Sequence, residues 1–290
     1  MKKYLILLLI ITFFSCKKEE KKISQNTKEI VVDKYKNIYG NWVGNFIVDE
    51  TQGDDENFVY SNKINIVIKK IDNNKVEGLS IVSGNKRILT GIIKEENGVL
   101  DFELTEPGND KNDGKFYFTI SGNELKGNWY ANDKKASVIS RYFKLTKQKF
   151  KYDPTLMLPA DGDYVDYFST KIDSITAKED SEIEETEYSD TFRFASDVIT
   201  KINSSTTLLV DEDLKNLKKL ELEILRNTIY ARHGYSFKKK SYRQFFDPVD
   251  WYIPVSDNVT NELTNTERLN INLLERFEKY AEDNYDSFGR

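Results

Sequence analysis

Cysteine and histidine are nearly missing from this chain: its 290 residues include one of each, Cys16 and His233. One cysteine excludes an internal disulfide and a cysteine-based zinc site, and one histidine excludes a site built on several imidazoles. Ser236 and Ser241 follow the histidine closely, but no G-x-S-x-G elbow or other nucleophile signature surrounds them. Charge of one sign is lacking too. Lysine and glutamate are mixed throughout, and the net charge of −5 gives no global field that would favour nucleic acid. Long apolar runs are absent after the first, Leu5 to Phe14, which only Thr12 interrupts. That run is about half of the ~20 residues that a membrane-crossing helix needs. The expectation is a protein with no catalytic residue, no metal and no cofactor.

What is present begins with an address. Lys2 and Lys3 precede the apolar run and small Ser15 closes it, so residues 1 to 15 read as a secretory signal. Ending on Ser15-Cys16, the segment is similar to the lipobox of bacterial lipoproteins, although Phe13 stands where leucine is usual. The resemblance implies cleavage before Cys16 and acylation of its thiol, which gives a membrane anchor and leaves the mature protein without a thiol. Two or three acyl chains anchor stably where one would not. Lys17, Lys18, Glu19 and Glu20 resemble the export signals that send some Gram-negative lipoproteins to the outer face; a plain solvated tether over residues 16 to 37 would have the same composition. The expected location is the cell envelope, as an outer-membrane lipoprotein facing the periplasm or the surface.

Residues 38 to 148 show period-two alternation broken by turn residues. Trp42, Gly44, Phe46 and Val48 make the first run, Ile64, Ile66 and Ile68 the second, and Val138 to Leu145 the eighth. Asp72-Asn73-Asn74, Ser83-Gly84-Asn85, Asn97-Gly98, Pro107-Gly108-Asn109 and Ser121-Gly122-Asn123 separate the runs. Short alternating strands on tight turns predict an antiparallel meander, and eight of them can close into a barrel with no free edge. "GNWVGNF", from Gly40 to Phe46, resembles the first-strand G-x-W of lipocalins and their calycin relatives, and "GNWYAND" from Gly127 is similar to avidin-type barrels. The calycin resemblance implies that Trp42 plugs the barrel floor and that Arg141, on the eighth strand, packs across it. Trp42, Phe46, Phe102, Phe116, Phe118 and Trp129 are the expected interior groups, together with Arg141. They either fill the barrel completely or line a cavity for one small molecule.

Residues 149 to 191 lose the alternation. Glu179 to Asp190 places seven carboxylates in twelve residues without a glycine, which fits a solvated linker better than a calcium loop. From 192 to 284 the spacing turns helical. Ala195, Val198, Ile199 and Ile202 suggest a short helix, Asp211 caps a longer one running to Arg232, and Gly234 ends it in the left-handed conformation. His233 at that stop reads as a structural hydrogen-bonding residue. Thr264 and Glu267 have capping-box spacing ahead of a final helix with Leu269, Leu273, Phe277 and Tyr280 on one face.

Leu225-Arg226-Asn227, the run Ile229 to Tyr235 ("IYARHGY"), Phe237, Phe245-Phe246, Trp251-Tyr252 and Asn270-Ile271 resemble the YARHG domain, a module of bacterial extracytoplasmic proteins, over residues 208 to 281. The fold class is therefore α+β and multidomain: an eight-stranded calycin-like barrel, an acidic linker and a small helical YARHG domain. The resemblance implies a non-enzymatic binding module contacting cell-wall glycan or an envelope protein. Trp251 and Tyr252, beside Pro254, are the rings expected to be partly exposed for stacking on a sugar. Lys239 and Arg243 are the cations expected to meet anionic wall polymers, unless they merely solvate a loop. The competing function is a carrier with a small apolar ligand in the barrel, and a hydrolase comes last.

Overall fold

The computed structural model describes residues 33–52, 58–177 and 185–282, with backbone alone for 170–177 and 185–191. The segment expected to be a signal, residues 1 to 15, and Cys16, expected to be acylated, lie outside the described residues.

Eight strands follow one another: β1 Gly40–Thr51, β2 Ser61–Asp72, β3 Lys75–Val82, β4 Asn85–Glu96, β5 Val99–Thr105, β6 Gly114–Ser121, β7 Glu124–Ala131 and β8 Val138–Gln148. Each pairs antiparallel with the next and β8 returns to β1, so the barrel is closed. The local cause is visible at the lower turns, where Asn73 and Asn74, and then Asn97 and Gly98, take positive φ angles. Two consecutive residues of that kind give the primed turn whose twist matches a hairpin. Alternate side chains then point inward. Phe102, Phe118, Gly127 and Phe143 stand opposite one another on successive strands, and the rings of Phe102 and Phe118 stack at 4.7 Å.

The floor is made by the chain entering the barrel. A 3-10 turn at Lys36–Ile38 lies under Trp42, whose indole N–H donates to the Ile38 carbonyl at 2.9 Å. Trp42 is fully buried there, as the G-x-W resemblance implies, but Arg141 is not its partner. Trp42 faces Lys147 in the register, while Arg141 faces Val48, six positions further along β1. At roughly 3.3 Å per residue, that is the other end of the barrel. Alternation fixes which face a side chain takes, and it leaves the height along the strand open.

The stretch 149 to 191, expected as a linker, is partly built into the structure. β9 Val165–Ala177 and β10 Glu185–Phe194 form an antiparallel pair. Before them, the Leu156 carbonyl accepts from Arg232 Nε at 2.7 Å and the Met157 carbonyl accepts from the Trp251 indole at 2.8 Å. These main-chain acceptors satisfy two buried donors, a role that composition does not reveal.

The helical module holds α1 Asp211–Leu214, α2 Lys219–Arg232, α3 Lys240–Phe246 and α4 Asn265–Glu278. The single helix expected from Asp211 is thus broken between Leu214 and Lys219. Its stop is as expected: His233 is the C-cap and Gly234 has φ +71°. Of the stripe expected on α4, Leu273 and Phe277 pack against the module's core. Leu269 and Tyr280 are exposed, and the buried face is Glu267, Asn270, Ile271 and Leu274.

The barrel and the helical module meet through polar anchors. The Lys63 backbone N–H donates to Asp247 at 3.0 Å, its ammonium donates to the Val249 carbonyl, and the Asn65 amide donates to the Pro254 carbonyl at 2.8 Å. Burial pushes the Lys63 amine down to about 8 and the Asp247 carboxyl up to about 6. Gly84 donates its N–H to Ser236 Oγ at 3.0 Å, and a β-carbon at Gly84 would fall 2.1 Å from Lys238 Cγ. Only glycine lets the β3–β4 turn come this close.

Candidate functional site

Two places gather chemistry-bearing side chains. The first surrounds the sole histidine. His233 is buried at the end of α2, and its Nε2–H donates to Glu267 Oε2 at 2.8 Å. Tyr152 stacks on the imidazole at 4.2 Å and donates its hydroxyl to Glu267 Oε1 at 3.0 Å. Burial alone would raise the Glu267 carboxyl, but donors from His233, Thr264 and Ser205 outweigh it and hold the group at about 2. Since Glu267 is ionised across the ordinary pH range, the His233 proton sits on Nε2. Every polar atom of the carboxylate is occupied by the protein, and Glu267 also caps α4 by accepting the Thr264 N–H at 2.9 Å. The cluster ties α2, α4 and the 149–164 crossing segment together.

The second place is the upper mouth of the barrel, where Phe58 and Val59 ahead of β2 come together with the β3–β4, β5–β6 and β7–β8 loops. A cavity of about 710 Å³ opens there, and its far wall is the start of α3 from the helical module. Below it the barrel is filled. Phe46, Phe116, Phe118 and Phe143 pack ring against ring at about 6 Å, with Trp129 edge-on to Phe46 at 5.8 Å. The interior is therefore a packed core under a polar vestibule. Phe46 and Trp129 belong to this core and, with Arg141, also line the vestibule, whereas Trp42, Phe102 and Phe118 belong to the core without reaching it.

Arg141 reaches into the vestibule from β8. Its guanidinium lies 5.2 Å over the Phe46 ring and donates to the carbonyls of Phe46 at 2.9 Å, Val59 at 3.1 Å and Tyr60 at 3.3 Å. Arg243 approaches from α3, donating one terminal N–H to the Lys238 carbonyl. On the opposite wall Glu106 accepts from Ser80 Oγ at 2.8 Å, the Gly114 N–H at 2.7 Å and the Trp129 indole at 3.2 Å. Burial raises the pKa of Glu106, and these three donors counter the rise. Asp113 holds Arg87 at 2.5 Å and accepts the Gly108 N–H, which shapes the β5–β6 loop around the rim.

Of the ligand-contacting residues expected from sequence, the vestibule takes Arg243 alone. Tyr252 is a correction: it is 1% exposed and donates its hydroxyl to the Tyr235 carbonyl at 2.7 Å, so no face is free for a sugar. The ring fills the module's core beside Phe237 and Phe246. Trp251 is half-buried with its indole N–H committed to Met157. Lys239 is exposed, with its ammonium 5.3 Å from the Tyr242 ring. Sequence reasoning missed Glu106, a polar residue at a strand end whose burial depends on loop closure. A second hollow of about 760 Å³ opens on the outside of the barrel wall between the exposed rings of Tyr117 and Tyr142, and the charged side chains around it are all at least partly exposed.

Comparison with known proteins bears on the two parts separately. No curated protein matches the chain. One solved structure, the fatty-acid-binding protein 1 of Echinococcus granulosus, is similar at 17% identity over 39% of this chain and 98% of its own, with a TM-score of 0.22. The barrel's closure rests on its own strand pairing. A family model described as YARHG domain matches residues 196–279. It begins before the expected residue 208 and so takes in the 3-10 turn Asp197–Thr200, whose Ile199 is buried in the module's core. The helical part of the chain, residues 196–279, is identified as a YARHG domain.

Proposed function

We propose that this chain is a non-enzymatic binding protein, held at the cell envelope by a lipid on Cys16, that takes a small ligand into the vestibule between barrel and YARHG domain. The observation that carries the reading is the composite wall: a cavity of about 710 Å³ with Arg141 from one domain and Arg243 from the other. Binding sites favour such concave junctions between domains, with a few placed polar groups over an apolar floor. Phe46, Phe116 and Trp129 supply that floor. The non-enzymatic reading is in keeping with the structural contact of the one histidine, whose Nε2 links α2 to Glu267 of α4. Contact between the YARHG domain and cell-wall glycan or an envelope protein is the second reading; it keeps Trp251 and Lys239 and loses Tyr252.

Native mass spectrometry of a Cys16→Ser variant, purified from the soluble fraction of its own host, tests both parts. The variant should leave the membrane fraction, and its mass should exceed that of the polypeptide by one small molecule. A variant that still fractionates with membranes would remove the lipid anchor from the account. A bare polypeptide mass in every preparation would remove the ligand.

A further inference from the structure

We propose that Arg141 and Arg243 form an oxyanion-binding pair, so that the vestibule's ligand carries a carboxylate or phosphate group held by both domains at once. The inference rests on the reading of the vestibule as the ligand site and deepens it. Arg141 is 8% exposed and Arg243 is 7% exposed, and among the described residues neither is in an ion pair. All the hydrogen bonds of Arg141 go to neutral carbonyls. Those carbonyls orient the guanidinium and leave its charge in place.

Arg243 is less well provided for. Its Nε is buried and has no hydrogen-bond partner among the described residues, a rare condition for a charged group in a folded interior. Asp247 is the nearest carboxylate acting on it, but that group accepts the Lys63 backbone N–H across the domain contact. The two arginines also repel each other: burial first, and then the Arg243 charge, bring Arg141 down to about 10. Removing charges from water is costly unless each gains a partner, and two like charges brought together by separate domains worsen that cost. A bound oxyanion reverses it, since a guanidinium presents paired N–H donors to carboxylate or phosphate.

The surroundings agree. Among the described residues, seven cationic side chains and four carboxylates line the vestibule. Of the carboxylates, Asp113 is committed to Arg87, and Glu106 is occupied by its three donors on the opposite wall. Phe46, beneath the Arg141 guanidinium, and Phe116 and Trp129 beside it give the organic part of the ligand an apolar seat. Because one arginine belongs to each domain, the anion also acts as a clasp between them.

The test uses the full chain with octanoate, octyl phosphate and octanamide as probes, followed by calorimetry and by Trp129 fluorescence. The anionic probes should bind about tenfold or more tightly than the neutral amide, the margin of one charge-assisted pair. Comparison of octanoate with octyl phosphate assigns the head group. Arg243→Gln should lower anion affinity by about tenfold and octanamide affinity by less, and Arg141→Lys should retain part of the anion preference by keeping the charge. In parallel, inorganic phosphate at constant ionic strength should raise the melting temperature of the wild type more than that of Arg243→Gln. This comparison remains informative if Arg243→Gln is itself less stable, since each protein is measured against its own phosphate-free melt. Equal affinity for octanoate and octanamide, no binding of any of the three, or an equal phosphate response in the variant would each overturn the anion pair. None of these removes the vestibule as a ligand site, which stands or falls with the mass of the protein from its own host.

Discussion

Replacing His233 by alanine should destabilise the protein by about 2–4 kcal/mol. The imidazole N–H bonded to a buried carboxylate is a charge-assisted interaction, and such bonds contribute about 1.5–3 kcal/mol. Its parallel stacking on Tyr152 at 4.2 Å adds about 0.5–1.5 kcal/mol. The loss stays below that of an orphaned buried charge, because Glu267 retains the Thr264 N–H and the Tyr152 hydroxyl. Urea melts at pH 7 of wild type, His233→Ala, Glu267→Gln and the double variant would measure it. The cycle should give a coupling of about 1 kcal/mol or more between two residues in direct contact. A His233→Ala midpoint that matched the wild type, with binding lost, would place the histidine in a site and refute its structural role.

Three further outcomes are expected. Gly234→Ala should cost more than the ~1 kcal/mol of left-handed strain alone, since its β-carbon would lie 2.5 Å from Val255 Cγ2 and 2.8 Å from the Ile253 carbonyl; thermal melts measure it. Glu267 is held at about 2 when folded, against about 4.5 when unfolded, so its stabilisation is complete above about pH 4.5 and is lost as pH falls toward 2. Urea midpoints between pH 6 and 3 should therefore drop less in Glu267→Gln than in wild type. A fragment of residues 149–282 should melt cooperatively and well above one of residues 192–282, which lacks the Leu156 and Met157 acceptors and buried Tyr164; circular dichroism on heating distinguishes them.

Much of the barrel was legible because a two-residue period and asparagine–glycine turns are local signals, and all eight strands and their closure follow from them. The helix stop at Gly234 was legible for the same reason. What escaped was set by distance. Arg141 was matched with the wrong end of β1, since parity carries no height. On α4 an apolar stripe suggested Leu269 and Tyr280, whereas Glu267 and Asn270 are the buried groups: one holds His233, and the other donates its amide to the Ser204 and Thr207 carbonyls. Polar residues inside a helix face are invisible to hydrophobic periodicity. The pairing of Arg141 with Arg243 needs both domains folded and docked, so neither sequence neighbourhood announces it.

The most direct test of a ligand site shared by the two domains is hydrogen–deuterium exchange on the Cys16→Ser protein from its own host, before and after its small molecules are extracted. Extraction should speed exchange together in the barrel-mouth loops, residues 83–85 and 106–114, and in residues 238–243 of the YARHG domain. The floor turn at 36–38 and the His233–Glu267 cluster should stay unchanged. Exchange altered in only one of the two domains, or in neither, would contradict a shared site.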